Sequence, residues 1–427
     1  MINGKKSVLV LGANPETAGL VKTANKMGLH TIVTDYDPNS YAKQYAAQPC
    51  NIDASNVEEL EELIKEQNVD AVLLGVAEAL MPSYERICSD MNFPCYGDKK
   101  LFELFADKKN FKQMCREFDV PVVDEYVVSD YYSTSELKEI PLPVVVKPVD
   151  SCSSKGISVC KTFDELREGI DKALSFSKSK CLLIEKYMTG QEVVVYYVFQ
   201  DGQPTCVGMC DRYTNKEQYG VAQLPTSYIF PSKHTKQYLK DNDEKVKNMF
   251  IKTGVKNGVM FIQSFIDEDG GVRFYEPGYR LNGAQEHYIV KEFSGIDAKE
   301  LMINFALTGK MSEEDLSKKA DPLTGKYGCK LSPLVKLGQI KELKGLDEIA
   351  QIQGVVSVNP SYRNMDTVTG YGTLKQIACR FFIVADTKEE LKSRIDRLME
   401  LYDVIDTDNN SMLLTPFDTD IIINDYT

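Results

Sequence analysis

The first hundred residues alternate between β and α patterns, and that alternation restricts the fold more than any other feature of the chain. SVLVLG at 7–12 reads as a buried strand and 15–27 as a helix, followed by a strand at 31–35, a helix at 57–67 and a strand at 71–74. This order argues for a parallel, doubly wound sheet, because crossovers between parallel strands carry helices onto the sheet faces. The first turn, Gly12-Ala-Asn-Pro-Glu-Thr, and Asp35 at the end of the second strand imitate a dinucleotide-binding fingerprint. The second and third glycines are missing, so the backbone lacks the close approach to a pyrophosphate that they permit. The pattern predicts a scaffold domain whose strand ends line a cleft.

A second unit begins near Asp98. Asp107-Lys108-Lys109 opens an amphipathic helix through Phe118, and Val120-Pro-Val122 leads toward a new strand. Strands then dominate to about residue 198, interrupted by a helix at 163–174, for which Thr162 and Glu165 form a capping box. Further strands and two helical segments fill 203–307, and the polar, Lys-rich stretch 308–327 reads as a linker. The last hundred residues mix short strands (381–384, 412–414) with a helix at 388–402, which Asp386-Thr387 caps.

Composition removes several function classes. The formal net charge of −13 argues against nonspecific binding to nucleic acid or to an anionic membrane. No apolar run approaches the roughly 20 residues of a membrane span. Eleven cysteines without paired spacing suit a reducing cytoplasm, and the three histidines lie away from any cysteine pair, which disfavours a zinc site.

Chemistry concentrates in two stretches, PVVVKPVDSCSSKGISV at 143–159 and LLIEKYMTGQEVVVY at 182–196. The first reads as a β-hairpin that carries Lys147 and a small-residue loop at 150–156. That loop offers backbone N–H groups and hydroxyls as phosphate donors, and Gly156 lets the chain approach a ligand. The second stretch places Glu185 and Glu192 seven residues apart around Met188-Thr-Gly. An ionised glutamate is acceptor-only and suits a pair of ribose hydroxyls; two solvent-facing acids at a bend are the alternative.

The case for a metal comes from a second hairpin. Strands at 258–266 and 272–275 are joined by Asp267-Glu-Asp-Gly-Gly, and a turn centred on Asp269-Gly270 sets Gln263 opposite Glu276 on one face. An amide oxygen and a carboxylate converging there fit Mg²⁺. Arg280 stays on that face if the strand persists, where its guanidinium could hold a carboxylate in a bidentate grip; a plain Arg–Glu pair is the alternative. His287 is open between a structural and a functional role.

Together with FYEPGYRLNG at 274–283, these stretches resemble the ATP-grasp superfamily of carboxylate–amine and carboxylate–thiol ligases. The resemblance implies a multidomain α/β and α+β architecture: a doubly wound pre-ATP-grasp domain (1–97), an ATP-grasp fold (98–310, with a lid at about 108–188) and a small C-terminal α/β domain (328–427). In the first of these, 12–17, Asp35 and 75–78 resemble the family's own segments. It implies ATP and Mg²⁺, with Mn²⁺ as a substitute. It assigns phosphate contacts to Lys108, Lys147, Ser153, Ser154 and Gly156. The adenine falls to Glu185, Lys186, Tyr187 and Met188, the ribose to Glu192, the metal to Gln263 and Glu276, and catalysis to Arg280 and Lys155. Relatives of the carbamoyl-phosphate synthetase type usually carry Asn two residues after the metal-binding Glu; this chain has Gly278. The implied reaction is activation of a carboxylate as an acyl phosphate, with release of ADP, followed by attack of an amine. Bicarbonate activation, a catalytically silent ATP-binding protein and a nicotinamide oxidoreductase are the rivals. Small-molecule carboxylates and amines are the expected partners, and a homodimer is compatible with the resemblance.

Overall fold

The computed structural model describes residues 4–126, 134–150, 156–215 and 224–426. The amino-terminal alternation folds as expected. Gln48–Cys50, His30–Thr34, Ser7–Leu11 and Ala71–Leu74 form a four-stranded sheet in that spatial order, with every pairing parallel. Ser7–Leu11 is buried along its whole length, as a strand covered on both faces must be. The Gln48–Cys50 strand had no signal in the sequence pattern. The predicted helix at 15–27 is a 3-10 turn, Pro15–Thr17, leading into the α-helix Ala18–Lys26.

The next unit is a small antiparallel sheet of Ser158–Cys160, Val144–Pro148 and Leu182–Lys186, in that order. The helix Phe163–Phe176 packs on it and buries Leu166, Ile170 and Ala173 against Val144, Val146 and Ile184. The Thr162–Glu165 capping box is present in both directions.

The centre of the molecule is an eight-stranded antiparallel sheet. Its spatial order is Val272–Gly278, Gly258–Ile266, Glu192–Gln200, Gln203–Thr214, Pro225–Phe230, Tyr327–Leu331, Cys379–Ala385 and Val355–Pro360. The carboxy-terminal strands therefore continue the sheet begun by the hairpins, through the pairing of Tyr228 with Lys330. Three expectations need correction. Residues 120–122 form only an isolated bridge from Val122 to Phe274, and residues 412–414 only a bridge from Leu413 to Val335. The stretch expected to be a linker is anchored: Met311 and Leu316 are buried, and Gln200 hydrogen-bonds to Ser312, Glu314 and Leu316. Among the described residues no helix is long and apolar enough to cross a membrane.

Candidate active site

The second hairpin fixes two of the expected side chains. Gln263 pairs with Glu276, Ile262 with Pro277 and Phe261 with Gly278, in the register read from the sequence. A bulge between Gln263 and Ser264 shifts the turn side by one residue, so Ser264 faces Phe274. Tyr275 takes up the extra position. Its hydroxyl oxygen lies 2.6 Å from Gln263 Oε1 and 2.5 Å from Glu192 Oε1 and shares its single proton between them, tying the hairpin to the next strand.

Opposite this face stands a group of buried lysines. Asp107 caps the helix Lys108–Glu117 by accepting from the Asn110 N–H. Lys108 Nζ lies 3.4 Å from Glu276 Oε1. Burial works against its ammonium, but Glu276 and Glu78 outweigh it and hold the pKa above the usual lysine value. One helical turn later Lys112 is fully buried and reaches Glu185 Oε1 at 2.6 Å and the Val123 carbonyl at 2.9 Å. Lys147 meets the other oxygen, Glu185 Oε2, at 2.7 Å, and its Nζ is 5.3 Å from the centre of the Tyr275 ring. Burial lowers the Lys147 pKa, with Glu185 opposing the fall. Burial alone would raise the Glu185 carboxyl; Lys147 and then Lys112 pull it below the usual range.

Lys112, Tyr275 and Arg212 belong to this constellation and were not read from the sequence. Lys112 had a signal, since it lies four residues beyond Lys108 on the same helix face. Tyr275 had none, because its placement depends on the bulge. Arg212, near the end of the strand Gln203–Thr214, ion-pairs with Glu192 and donates from Nε to the Tyr228 hydroxyl at 3.2 Å.

Some expectations land differently. Glu185 turns its side chain to the two lysines. The backbone N–H groups of Lys186 and Tyr187 go to the carbonyls of Asp124 and Pro143, and Lys186 Nζ goes to Asp267 at 3.1 Å. Met188 is buried beside them. Gly156 has φ +78, and an added Cβ would meet Phe176 and Pro148 at 2.8 and 2.9 Å, so only glycine fits. Ser153, Ser154 and Lys155 lie outside the described residues.

Arg280 departs from the expected strand, which ends at Gly278. Its Nη2 donates to Glu78 at 3.0 Å across the boundary with the amino-terminal sheet, and its guanidinium lies 5.2 Å from the centre of the Phe261 ring. That ring also explains Gly278, since a Cβ there would overlap it. His287 is buried with both ring nitrogens unpartnered, and burial holds it neutral. Arg380 reaches Glu16 at 2.5 Å, a second tie to the amino-terminal domain. Among the described residues no group of three or more His, Cys, Asp or Glu side chains could hold a metal ion. Gln263 and Glu276 form a two-oxygen face that fits an ion whose other ligands come from a phosphate.

In the amino-terminal domain the fingerprint-like turn is committed to its own scaffold. Asp35 accepts from the Ala13 N–H at 3.2 Å, and the buried Lys43 binds the carbonyls of Asp35 and Asp37.

Comparison with known proteins agrees with this geometry. The ATP-grasp domain family matches residues 140–284. The carbamoyl phosphate synthase large chain of Clostridium beijerinckii is 21% identical over 402 residues, covering 90% of this chain and 36% of that protein. The chain thus spans about a third of that relative's length. The biotin carboxylase domain of Hydrogenobacter thermophilus 2-oxoglutarate carboxylase superposes with a TM-score of 0.77 at 18% identity, over 95% of this chain and 91% of that one. The L-amino acid ligase of Bacillus licheniformis gives 0.76 at 18% identity, over 94% and 99%. At these identities the superpositions speak for the fold, and the matched segment contains Lys147, Glu185, Glu192, Gln263, Glu276 and Arg280. Residues 140–284 therefore match an ATP-grasp domain, in a chain that shares its fold with the biotin carboxylase domain and the L-amino acid ligase.

Proposed function

We propose that this protein is an ATP-dependent carboxylate–amine ligase that forms a C–N bond through an acyl phosphate. The observation that carries the reading is the convergence of Lys108 with Lys147 and the Gln263–Glu276 pair, the last three of which lie in the segment 140–284 that matches the ATP-grasp family. Lys147 and Lys108 would neutralise and align the phosphates of ATP, with Ser153, Ser154, Lys155 and Gly156 as further phosphate donors. Glu185, Lys186, Tyr187 and Met188 would receive the adenine. The N–H groups of Lys186 and Tyr187 are already bonded within the protein, so carbonyl oxygens and Met188 remain for the base. Glu192, held by Tyr275 and Arg212 through one oxygen, keeps the other for the ribose.

Gln263 and Glu276 would hold Mg²⁺, or Mn²⁺ in its place, which supplies charge neutralisation on the transferred phosphoryl group. Arg280 would exchange its Glu78 partner for the substrate carboxylate. A carboxylate oxygen attacks the γ-phosphorus, the bond to the β-phosphate oxygen breaks, and ADP leaves. The amine nitrogen then attacks the acyl carbon, phosphate departs and the amine proton passes to solvent. Positioning and electrostatics carry both steps.

The reading includes the three-part division at 1–97, 98–310 and 328–427, a cytoplasmic location and small-molecule substrates, with a homodimer as the assembly. Bicarbonate activation is the alternative within the class, supported by the carbamoyl phosphate synthase relatives. Gly278 and the Phe261 ring that fills its place favour a third reading, a silent ATP-binding protein. ADP formation from Mg-ATP separates them when assayed against a panel of acids with amines, and with bicarbonate plus ammonia. The ligase reading expects ADP only when an acid is supplied, and expects Glu276→Gln to lower the rate by about 10²-fold or more. ADP release that ignores every acid, or a fully active Glu276→Gln, would count against it.

A further inference from the structure

Buried cations in this chain are answered by partners. Lys43 has the carbonyls of Asp35 and Asp37; Lys108 has Glu276; Lys112 and Lys147 have Glu185; Lys299 has Asp297; Arg380 has Glu16. Lys330 is the exception. It is only 2% exposed and makes no ion pair or hydrogen bond among the described residues, and its Nζ stands 4.2 Å from the centre of the Tyr228 ring. An ammonium buried without a carboxylate is costly, so its retention calls for a reason.

Its position supplies one. The register sets Glu192, Arg212, Tyr228 and Lys330 in a single row across four strands. Val194, two residues along from Glu192, faces Gln263, so the row lies on the face that carries the candidate active site. Leu331 pairs with Phe381, and Ser332 and Arg380 are the next residues along from that pair, one on each strand. Ser332 Oγ and Arg380 Nε are both buried without hydrogen-bond partners. Two unused donors therefore sit beside an unpaired lysine. Glu286 also faces Lys330, but burial raises its pKa to about 8, so at neutral pH it offers little charge in return.

On the ligase reading above, we propose that Lys330, with Ser332 and Arg380, forms a subsite for a second anionic group of the substrates, a carboxylate or phosphate remote from the carboxyl that is activated. That group belongs either to the acid itself or to the amine. Burial, with Arg380 and Arg212 adding to it, holds the Lys330 pKa well below the ordinary lysine value, so an arriving anion would stabilise the ammonium that the empty site disfavours.

The test is calorimetric titration of the Mg-ADP-loaded protein with charged and uncharged isosteres: glutamate against glutamine, succinate against succinamate, phosphoserine against serine. Wild type should bind the charged member of at least one pair about 10-fold or more tightly. Lys330→Met should erase that preference while leaving Mg-ADP affinity unchanged. Its ligand-free melting temperature should hold or rise, whereas a lysine kept for structure would lower it. A rise in KM for the acid or for the amine then assigns the source of the anion. No preference in wild type, or the same preference in Lys330→Met, would overturn the subsite; Lys330→Gln serves if the methionine variant does not fold. Anion binding without substrate-dependent ADP formation would keep the subsite and remove the ligase reading. ADP formation from uncharged substrates, indifferent to Lys330→Met, would do the reverse.

Discussion

Glu185 sets the electrostatics around Lys112 and Lys147, because one buried carboxylate answers both buried lysines. Glu286, near Arg280 and Lys330, is its opposite: it is buried, Oε2 has no partner, and its carboxyl is raised from the ordinary 4.5 to about 8. A group whose folded pKa lies above its unfolded one contributes its full stability below the unfolded value and loses it as pH rises through the folded value. Between about pH 4.5 and 8, wild type should therefore lose stability relative to Glu286→Gln, by on the order of a few kcal/mol. Melting temperatures of both proteins across that range check this; parallel curves would mean that Glu286 is ionised in the folded state. Lys147 and Glu276 were legible in the sequence because each sits in a short strand whose alternation fixes its face. Lys330 and Arg380 were not. Each is a lone cation inside an apolar strand, and its meaning depends on a neighbour more than a hundred residues away.

The Gln263–Glu276 hairpin shows how far period-two reasoning reaches. Ile266 pairs with Val272, so the turn is centred on Asp269 and not between Asp269 and Gly270; the bulge after Gln263 offsets that half-step, which is why Gln263 still meets Glu276. The bulge was not legible in the sequence, since nothing in Asp267-Glu-Asp-Gly-Gly marks an extra residue at Tyr275. The same element explains why Gly278 stands where the ATP-grasp resemblance leads one to expect Asn. Its cross-strand partner is Phe261, whose ring fills the space a side chain would need and also bears on Arg280. A side chain that supplied an oxygen donor at 278 would run into that ring. Gly278→Asn by itself should destabilise the protein by about 1–3 kcal/mol through overpacking. Phe261→Ala is itself a costly core truncation, but the double variant should lose less than the sum of the two single losses. Chemical denaturation of the single and double variants tests the coupling, and purely additive effects would remove Phe261 as the cause.

Across the whole molecule, a chain of net charge −13 builds a cleft lined with cations, and it does so by lending carboxylates from the amino-terminal domain. Glu78 reaches Arg280 and Glu16 reaches Arg380, so the parallel sheet holds two guanidinium groups of the cleft in place. The dinucleotide-like turn thus has another use: Glu16, in the 3-10 turn that follows Gly12, faces the cleft arginine. A pyrophosphate at that turn would meet the Glu16 carboxylate, and Asp35 already caps the Ala13 N–H. The two acids should also behave differently. Arg380 is 5% exposed and stays buried, so Glu16→Gln should cost about 3 kcal/mol or more by stranding its charge. The Arg280–Glu78 pair is more open, at 15% and 25%, and a substrate carboxylate would have to displace Glu78 to use Arg280. Glu78→Gln should therefore cost about 1 kcal/mol of stability yet leave Arg280 freer for an incoming acid. Denaturation midpoints for the two variants, read beside the KM for the acid, decide the matter. Equal stability losses, or a KM that rises in Glu78→Gln, would mean that Glu78 orients Arg280 instead of competing for it.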